Sequence, residues 1–80
     1  MKAEPSTTFA ELQRDYGMSF ATGAQLLHPD EETASWHGEI VDQDGVNLEF
    51  EGFADQFSAI VWLAETACVP IDQIEQLAAN

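Results

Sequence analysis

Positive charge is almost missing from this sequence, although the total amount of charge is ordinary. Fifteen Asp and Glu residues face one Lys and one Arg, so the net charge is −13, while charged residues make up 21% of the chain. Soluble domains usually carry about a quarter charged residues with the two signs mixed. A field of this sign repels nucleic acid and anionic membranes and attracts basic protein surfaces. We therefore expect no direct binding of nucleic acid or membrane, and a basic protein as partner.

Cysteine is scarce as well, and no long apolar run is present. Cys68 is the only cysteine, which leaves no internal disulfide, and its apolar surroundings in the sequence predict a buried small side chain. A lone thiol fits a reducing compartment, so we expect the cytoplasm. The longest apolar run, 59–64, is far shorter than the roughly 20 residues of a membrane helix, and no signal peptide is evident.

Eighty residues, 45% of them apolar, predict one small domain over 1–80, with 1–6 as a loose leader. Thr8-Phe9-Ala10-Glu11 fits a capping box and predicts a short helix over 8–16 that ends at Gly17. The segment 18–28 alternates as a strand does, with a bulge at Gly23. A second helix, which would give a helix-turn-helix, is the alternative for that segment.

The second half of the chain has clearer signals. Residues 36–41 and 46–53 are rich in β-branched and aromatic side chains and predict two strands. Asp55 can cap an apolar helix that forms the centre of the core, and Pro70 suits the first turn of a last short helix. The expected fold is a small two-layer α+β domain, with a three-stranded antiparallel sheet and helices on one face in the order α-β-β-β-α-α.

The stretch between the two clear strands, 42–50, reads DQDGVNLEF and has two explanations. As a calcium loop it fails, because only Asp42 and Asp44 stand where an EF-hand needs ligands. As a hairpin turn it needs a three-residue loop, 43–45, with Gly45 in the left-handed conformation. That loop length pairs the apolar residues of the two strands on one face, so we predict a turn and no metal.

The same register places like charges opposite one another on the other face. It predicts the cross-strand pairs Glu39 with Glu49 and His37 with Glu51, and two opposed carboxylates destabilise a sheet. One explanation is simply a solvated face. The other is that fixed carboxylates imitate the phosphates of DNA, which carries one charge per about 1.7 Å of axis. The predicted partner-binding residues are Glu39, Glu49, Glu51, Asp42, Asp44, Asp30, Glu31 and Glu32.

Other chemistry finds little support in the sequence. His28 and His37 are the only histidines, and neither has a cysteine or carboxylate at zinc-ligand spacing. No nucleophile lies in a recognisable motif, and a two-layer domain of this size has little room for a catalytic pocket. We therefore predict no enzyme activity, no metal and no cofactor.

In size, charge and element pattern the whole chain resembles the small acidic phage-encoded inhibitors called anti-CRISPR proteins. The resemblance implies an inhibitor that acts as a DNA mimic and blocks the basic groove of a CRISPR effector complex. The element order also resembles the double-stranded-RNA-binding domain, but 54–56 reads Ala-Asp-Gln where that family's last helix begins with lysines. An immunity or antitoxin protein against a basic toxin, or an acidic interaction module of a salt-adapted organism, would use a similar surface.

Overall fold

The computed structural model describes residues 2–18, 21–29, 31–32, 34–43, 45 and 47–77. Its elements are α1 (Phe9–Tyr16), β1 (Ala21–Leu27), β2 (Trp36–Asp42), β3 (Asn47–Phe53), α2 (Gln56–Val61), a π-helical turn (Trp62–Thr66), a 3-10 turn (Ile71–Gln73) and β4 (Ile74–Leu77). The strands form one sheet in the order β3-β2-β1-β4. β4 runs parallel to β1, whereas the other neighbours are antiparallel. The α+β class is confirmed, but the predicted three-stranded antiparallel sheet is wrong.

β4 takes the place of the last short helix expected from the sequence. After the 3-10 turn the chain pairs with the free edge of β1, so that Ala24 lies beside Ile74 and Gln25 beside Glu75. An isolated helix of this length is marginal in water, whereas the edge of β1 offers backbone donors and acceptors that need partners. Ile74 packs half-buried against the core. Pairing with the sheet therefore overrides the helical spacing of the apolar residues.

The central hairpin has the predicted register at its tip. Ile40 pairs with Leu48, Gly38 with Phe50 and Glu39 with Glu49. The turn closes through the N–H of Gly45, which donates to the Asp42 carbonyl at 3.0 Å while Gly45 takes a φ of +81°. Asp44 and Val46 lie outside the described residues.

The open end of the hairpin departs from the predicted register. A shift between Trp36 and Gly38 places Trp36 opposite Phe53, so His37 faces both Glu51 and Gly52 in a bulge and not Glu51 alone as expected. Gly52 absorbs the irregularity with a φ of +91°, and its N–H donates to the Ser35 hydroxyl at 3.2 Å. A positive φ at this point is one that glycine adopts without steric cost.

The core lies between the inner face of the sheet and the helices. Phe50 and Phe53 of β3 meet Trp62, with ring centroids 5.7 and 5.1 Å from that indole. The indole N–H of Trp62 donates to the Thr7 carbonyl at 3.1 Å, which ties the segment before α1 to the helical layer. An aromatic cluster with a satisfied polar atom gives this small domain a well-defined centre.

The segment 2–6, predicted to be a loose leader, is paired with the sheet. Ala3 is fully buried, and its N–H donates to the Glu49 carbonyl while its own carbonyl accepts from the Glu51 N–H, both at 2.9 Å. These bonds form a parallel bridge at the outer edge of β3. The prediction failed because a bridge of one residue leaves no periodic pattern in the sequence.

The first helix and strand follow the sequence signals. Thr8 caps α1 by accepting from the Glu11 N–H at 3.2 Å, and Gly17 ends the helix in the left-handed conformation. The segment 18–28 contains strand β1, which confirms that choice over a second helix. The register shifts between Ala21 and Gly23, as the predicted bulge requires.

The second helix begins as predicted but is less buried than expected. The Asp55 carboxylate accepts from the Ser58 N–H at 2.7 Å. Hydrogen bonds from the backbone and the side chain of Ser58 lower the pKa of Asp55 below its ordinary value. The sequence predicted a helix apolar nearly all round at the centre of the core. Phe57 instead points outward with 75% of its surface exposed, while Ala59 and Leu63 are buried.

Cys68 is also exposed, in contrast to the buried position predicted for it. It follows the π-helical turn with a φ of +57°, and it lets the Val69 N–H donate back to the Leu63 carbonyl at 2.9 Å. This bond and the left-handed residue resemble a Schellman ending, where glycine is the usual choice. Cysteine therefore occupies a position that its Cβ makes unfavourable.

We expect Cys68→Gly to stabilise the domain by about 1 kcal/mol, because it removes the cost of a left-handed non-glycine residue. For a domain of this size, that corresponds to a rise in melting temperature of roughly 4–8 °C. Thermal unfolding followed by circular dichroism measures the change. Cys68→Ala removes the thiol but keeps Cβ, and we expect it to melt within about 2 °C of the parent. Equal gains from both variants would contradict the backbone explanation.

Candidate acidic protein-binding face

The outer face of the sheet, turned away from the helices, carries one row of polar side chains across all four strands. The register places Glu49 beside Glu39, Glu39 beside Gln25, and Gln25 beside Glu75. Neighbouring strands lie about 4.8 Å apart, so the row spans roughly 14 Å. We call these four residues the outer row.

Alternation along the strands sets this orientation. Each member of the outer row has a neighbour in its own strand whose side chain points to the other face. These neighbours form the inner row: Ala24 on β1, Ile40 on β2, Leu48 on β3 and Ile74 on β4. Three of these four are buried and Ile74 is half-buried. Because successive side chains of a strand point to opposite faces, burial of the inner row directs the carboxylates outward. A one-residue slip would exchange the two rows, and the core therefore fixes the charges in place.

A shallow groove of about 490 Å³ lies over this face. Its lining residues are Lys2, Gln25, Leu27, Glu32, Ala34, Ser35, His37, Gly38, Glu39, Glu49, Phe50 and Glu51. Four of them are carboxylates, contributed by β2, β3 and the loop before β2. The groove thus joins part of the outer row to Glu51 and Glu32.

Lys2, the chain's only lysine, lies at the rim of the groove. Its ammonium nitrogen is 3.7 Å from a Glu49 carboxylate oxygen and 3.9 Å from one of Glu51. All three side chains are about half exposed, so these ion pairs contribute little to stability and weaken with salt. Lys2 relieves part of the repulsion within the face and leaves it strongly negative.

The structure brings several of the predicted contact residues together. Glu39, Glu49 and Glu51 line the groove, and Glu32 joins them from the loop before β2. Glu31 is exposed on that same loop, beside Glu32 in the chain.

Asp42 does not extend the negative surface as predicted. It is buried, with only 3% of its surface exposed, because it follows Gly38 and Ile40 on the inward side of β2. Strand alternation predicts this burial, because Asp42 comes two residues after Ile40 and so faces the same side of the sheet. Asp30 and Asp44, also predicted contacts, lie outside the described residues.

The sequence reasoning missed Glu75, Gln25 and Lys2. The apolar spacing around Glu75 predicts a helix, and nothing in four residues distinguishes a parallel edge strand from a helical turn. Gln25 was expected on a strand, but its place beside Glu39 depends on how β1 pairs with β2. Lys2 lies in the segment that the sequence predicts to be a loose leader. All three positions follow from pairing between distant parts of the chain.

No group of three or more potential metal ligands is present within the described ranges. His37 is half-buried at the groove, and its Nδ1 lies 3.0 Å from the Ser35 carbonyl oxygen. His28 packs edge-on against Trp36, with ring centroids 4.8 Å apart.

None of the helices within the described ranges combines the length and the apolar character needed to span a bilayer. Comparison of the chain with family models, curated proteins and solved structures finds no match.

The opposed carboxylates should cost stability, and the cost can be measured. Like charges directly opposite each other in a sheet destabilise it by about 0.2–1 kcal/mol. We therefore expect Glu39→Gln to raise the melting temperature by roughly 1–8 °C at low salt, with a smaller gain at high salt. Glu11→Gln removes the same charge from the first turn of α1, where a carboxylate stabilises a helix, so we expect its melting temperature to fall slightly and not to rise. A lower melting temperature for Glu39→Gln would contradict the repulsive pair.

Proposed function

We propose that this protein is an inhibitor that acts as a DNA mimic. Its outer face would occupy the basic nucleic-acid-binding groove of a target protein, of which a CRISPR effector complex is the leading candidate. The observation that carries the proposal is the row in which Glu49, Glu39 and Glu75 project from three strands of one rigid sheet. A chain selected only for stability would place an uncharged or basic residue opposite Glu39.

The spacing of the outer row is wider than the axial rise of DNA phosphates, but it is within reach of the side chains that bind them. Neighbouring carboxylates on adjacent strands are about 5 Å apart at Cβ, and those two strands apart are about 10 Å. DNA presents one phosphate per about 3.4 Å of axis along each strand. Lys and Arg side chains that track phosphates have flexible stems and would reach carboxylates at this spacing. Gln25 adds an amide between Glu39 and Glu75, which can accept and donate hydrogen bonds without adding charge.

Rigidity is the second support. Each carboxylate is attached to a strand whose next side chain is held in or against the core, as for Ile40 beside Glu39 and Leu48 beside Glu49. The ordering entropy of the backbone is therefore already lost before the partner binds. An acidic disordered tail of equal charge would lose that entropy on binding, and it would bind less tightly for the same contacts.

The experiment is competition with target DNA for purified effector complexes. We expect the protein to displace DNA at about 50 mM salt and to do so much less well at about 300 mM, because the Debye length falls as salt rises. Association should be fast and should slow with increasing salt, as electrostatic steering requires. Displacement that is equally strong at both salt concentrations would contradict a contact dominated by charge.

Capture from host lysate identifies the target if the tested complexes do not bind. A basic nucleic-acid-handling protein that elutes with salt would support the proposal. Capture of a basic toxin whose active surface binds no nucleic acid would overturn it and favour an immunity role.

A further inference from the structure

An apolar groove on the helical side of the domain is left open by the fold. It has a volume of about 340 Å³ and is lined by Pro5, Phe53, Phe57, Ser58, Val61, Trp62, Glu65 and Thr66. Phe53 and Trp62 belong to the aromatic core and are almost fully buried, so they can serve as a fixed floor. Phe57 is the most exposed large apolar side chain in the part of the chain that the structure describes.

Phe57 has no structural reason to be aromatic at this position. It is the second residue of α2, where the helix needs only the Asp55 cap, and 75% of its surface faces water. Isolated exposed apolar residues are common, but here the ring stands beside a preformed apolar groove. Aromatic side chains at the border of a pocket are frequent anchors in protein interfaces.

Charge around the groove indicates what can occupy it. Glu65 lines the groove, Glu4 precedes Pro5 in the chain, and Asp55 lies two positions before Phe57. All three are exposed carboxylates. The chain's two cations are engaged elsewhere, Lys2 with Glu49 and Glu51 and Arg14 with Asp15. An apolar side chain flanked by basic residues would therefore match both the groove and its surroundings.

A second copy of the chain matches the groove and its acidic surroundings poorly. Symmetric pairing through Phe57 would bring two copies of Glu65 together between molecules that each carry a net charge of −13. Phosphate-bearing or acidic partners are disfavoured for the same reason. The charge pattern thus selects a foreign basic segment.

We propose that this groove binds an apolar side chain of a basic peptide segment, with Phe57 as the anchor. The inference rests on the proposed function in one respect, because the segment would belong to the same basic target. The two surfaces flank one edge of the domain: Glu51 and Lys2 line the acidic groove, whereas Phe53 and Pro5 line the apolar one. A target that covers this edge contacts both.

Two short synthetic peptides separate the two surfaces. Acetyl-Lys-Lys-Leu-Lys-Lys-amide carries an apolar centre, and its counterpart with Gly in place of Leu has the same charge without it. Titration of the isotope-labelled protein, followed by amide chemical shifts, gives both the location and the affinity. We expect the leucine peptide to bind about 3- to 10-fold more tightly and to shift amides around Phe57, Val61 and Trp62. The glycine peptide should shift only amides of the outer face.

Variants then test whether the higher affinity for the leucine peptide comes from contact with Phe57. Phe57→Ala should reduce that gain to less than twofold, and it should fold normally because the ring is mostly exposed. Ile71→Ala, which truncates a side chain that is 68% exposed outside the groove, is the matched control and should keep the gain. A peptide with Glu in place of every Lys should not shift the groove amides.

The possible failures are distinct. Equal shifts at the groove from the leucine and glycine peptides would overturn the apolar site, while shifts at Glu39 and Glu49 would still support the acidic face. Shifts at the groove alone would support this site and count against the proposed DNA mimicry. Groove shifts that grow with protein concentration in the absence of peptide would show self-association through Phe57, and would overturn the choice of a foreign segment.

Discussion

Gly38→Ala is expected to abolish the folded state. A Cβ built on Gly38 would lie 1.8 Å from the carbonyl oxygen of Gln25 and 3.0 Å from the ring of Phe50. The first contact is with backbone, so no rotamer change relieves it, and β1 and β2 must separate at the centre of the sheet. We expect a loss above about 4 kcal/mol, in the range reserved for severe overpacking. A domain of 80 residues has a total stability of only about 4–12 kcal/mol.

Circular dichroism and thermal unfolding measure this effect directly. Gly23→Ala is the matched control, because its Cβ would lie 3.3 Å from the Gln73 carbonyl oxygen and needs only a small adjustment. We expect it to cost less than about 1.5 kcal/mol and to retain cooperative unfolding. A Gly38→Ala protein that melts within about 5 °C of the parent would show that β1 and β2 are not paired as described.

Removal of the opposed carboxylates should weaken target binding strongly. With Glu39→Gln and Glu49→Gln combined, we expect the affinity for the basic target to fall roughly 10- to 100-fold at low salt, which is about 1.4–2.7 kcal/mol. Glutamine keeps the shape and the hydrogen-bonding capacity of the side chain, so the loss reports charge alone. The same variant should gain stability, because the repulsive pair is gone. Opposite changes in stability and affinity would identify the pair as retained for binding.

A control of equal net charge separates position from total charge. Glu11→Gln with Asp15→Asn also removes two carboxylates, but from α1, which contributes Leu12 to the core on the inner side of the sheet. Its affinity should change less than about threefold, since distant charges act only through the screened field. Equal losses in both variants would mean that net charge, and not the outer row, drives association. An unchanged affinity for the Glu39 and Glu49 variant would remove the row from the contact.

Local signals in the sequence predicted most of the central hairpin and both helix caps. Loop length together with apolar alternation fixed the pairing of Glu39 with Glu49, since a slip of one residue would place Ile40 opposite Glu49. Thr8 and Asp55 have side chains that suit a helix start regardless of what surrounds the helix. These features depend on neighbours within a few positions in the chain.

The failures all depend on pairing or packing across the molecule. Ile74 and the residues after it form a strand because β1 has a free edge, and Ala3 is buried because β3 has one. Phe57 lies in an apolar helix, but the direction of its ring depends on which side of that helix meets the sheet. Cys68 adopts a left-handed conformation because the π-helical turn ends just before it. The candidate site was predicted only in part for the same reason. The pair Glu39–Glu49 lies within one hairpin, whereas Glu75 and Lys2 are placed beside it by pairing between distant parts of the chain.

The two outermost elements of the sheet, β4 and the bridge at Ala3, lie near the two ends of the chain, and this has a consequence for the order of folding. Ala3 pairs with Phe50, and Ile74 pairs with Ala24, so each edge closes a loop of about 50 residues, whereas the β2–β3 hairpin closes within a few. Loops of that length form slowly relative to hairpins. The Glu39–Glu49 pair should therefore assemble early, and Glu75 and Lys2 should arrive last. Opening of either edge would remove a charge from one end of the surface while the pair at its centre stays intact.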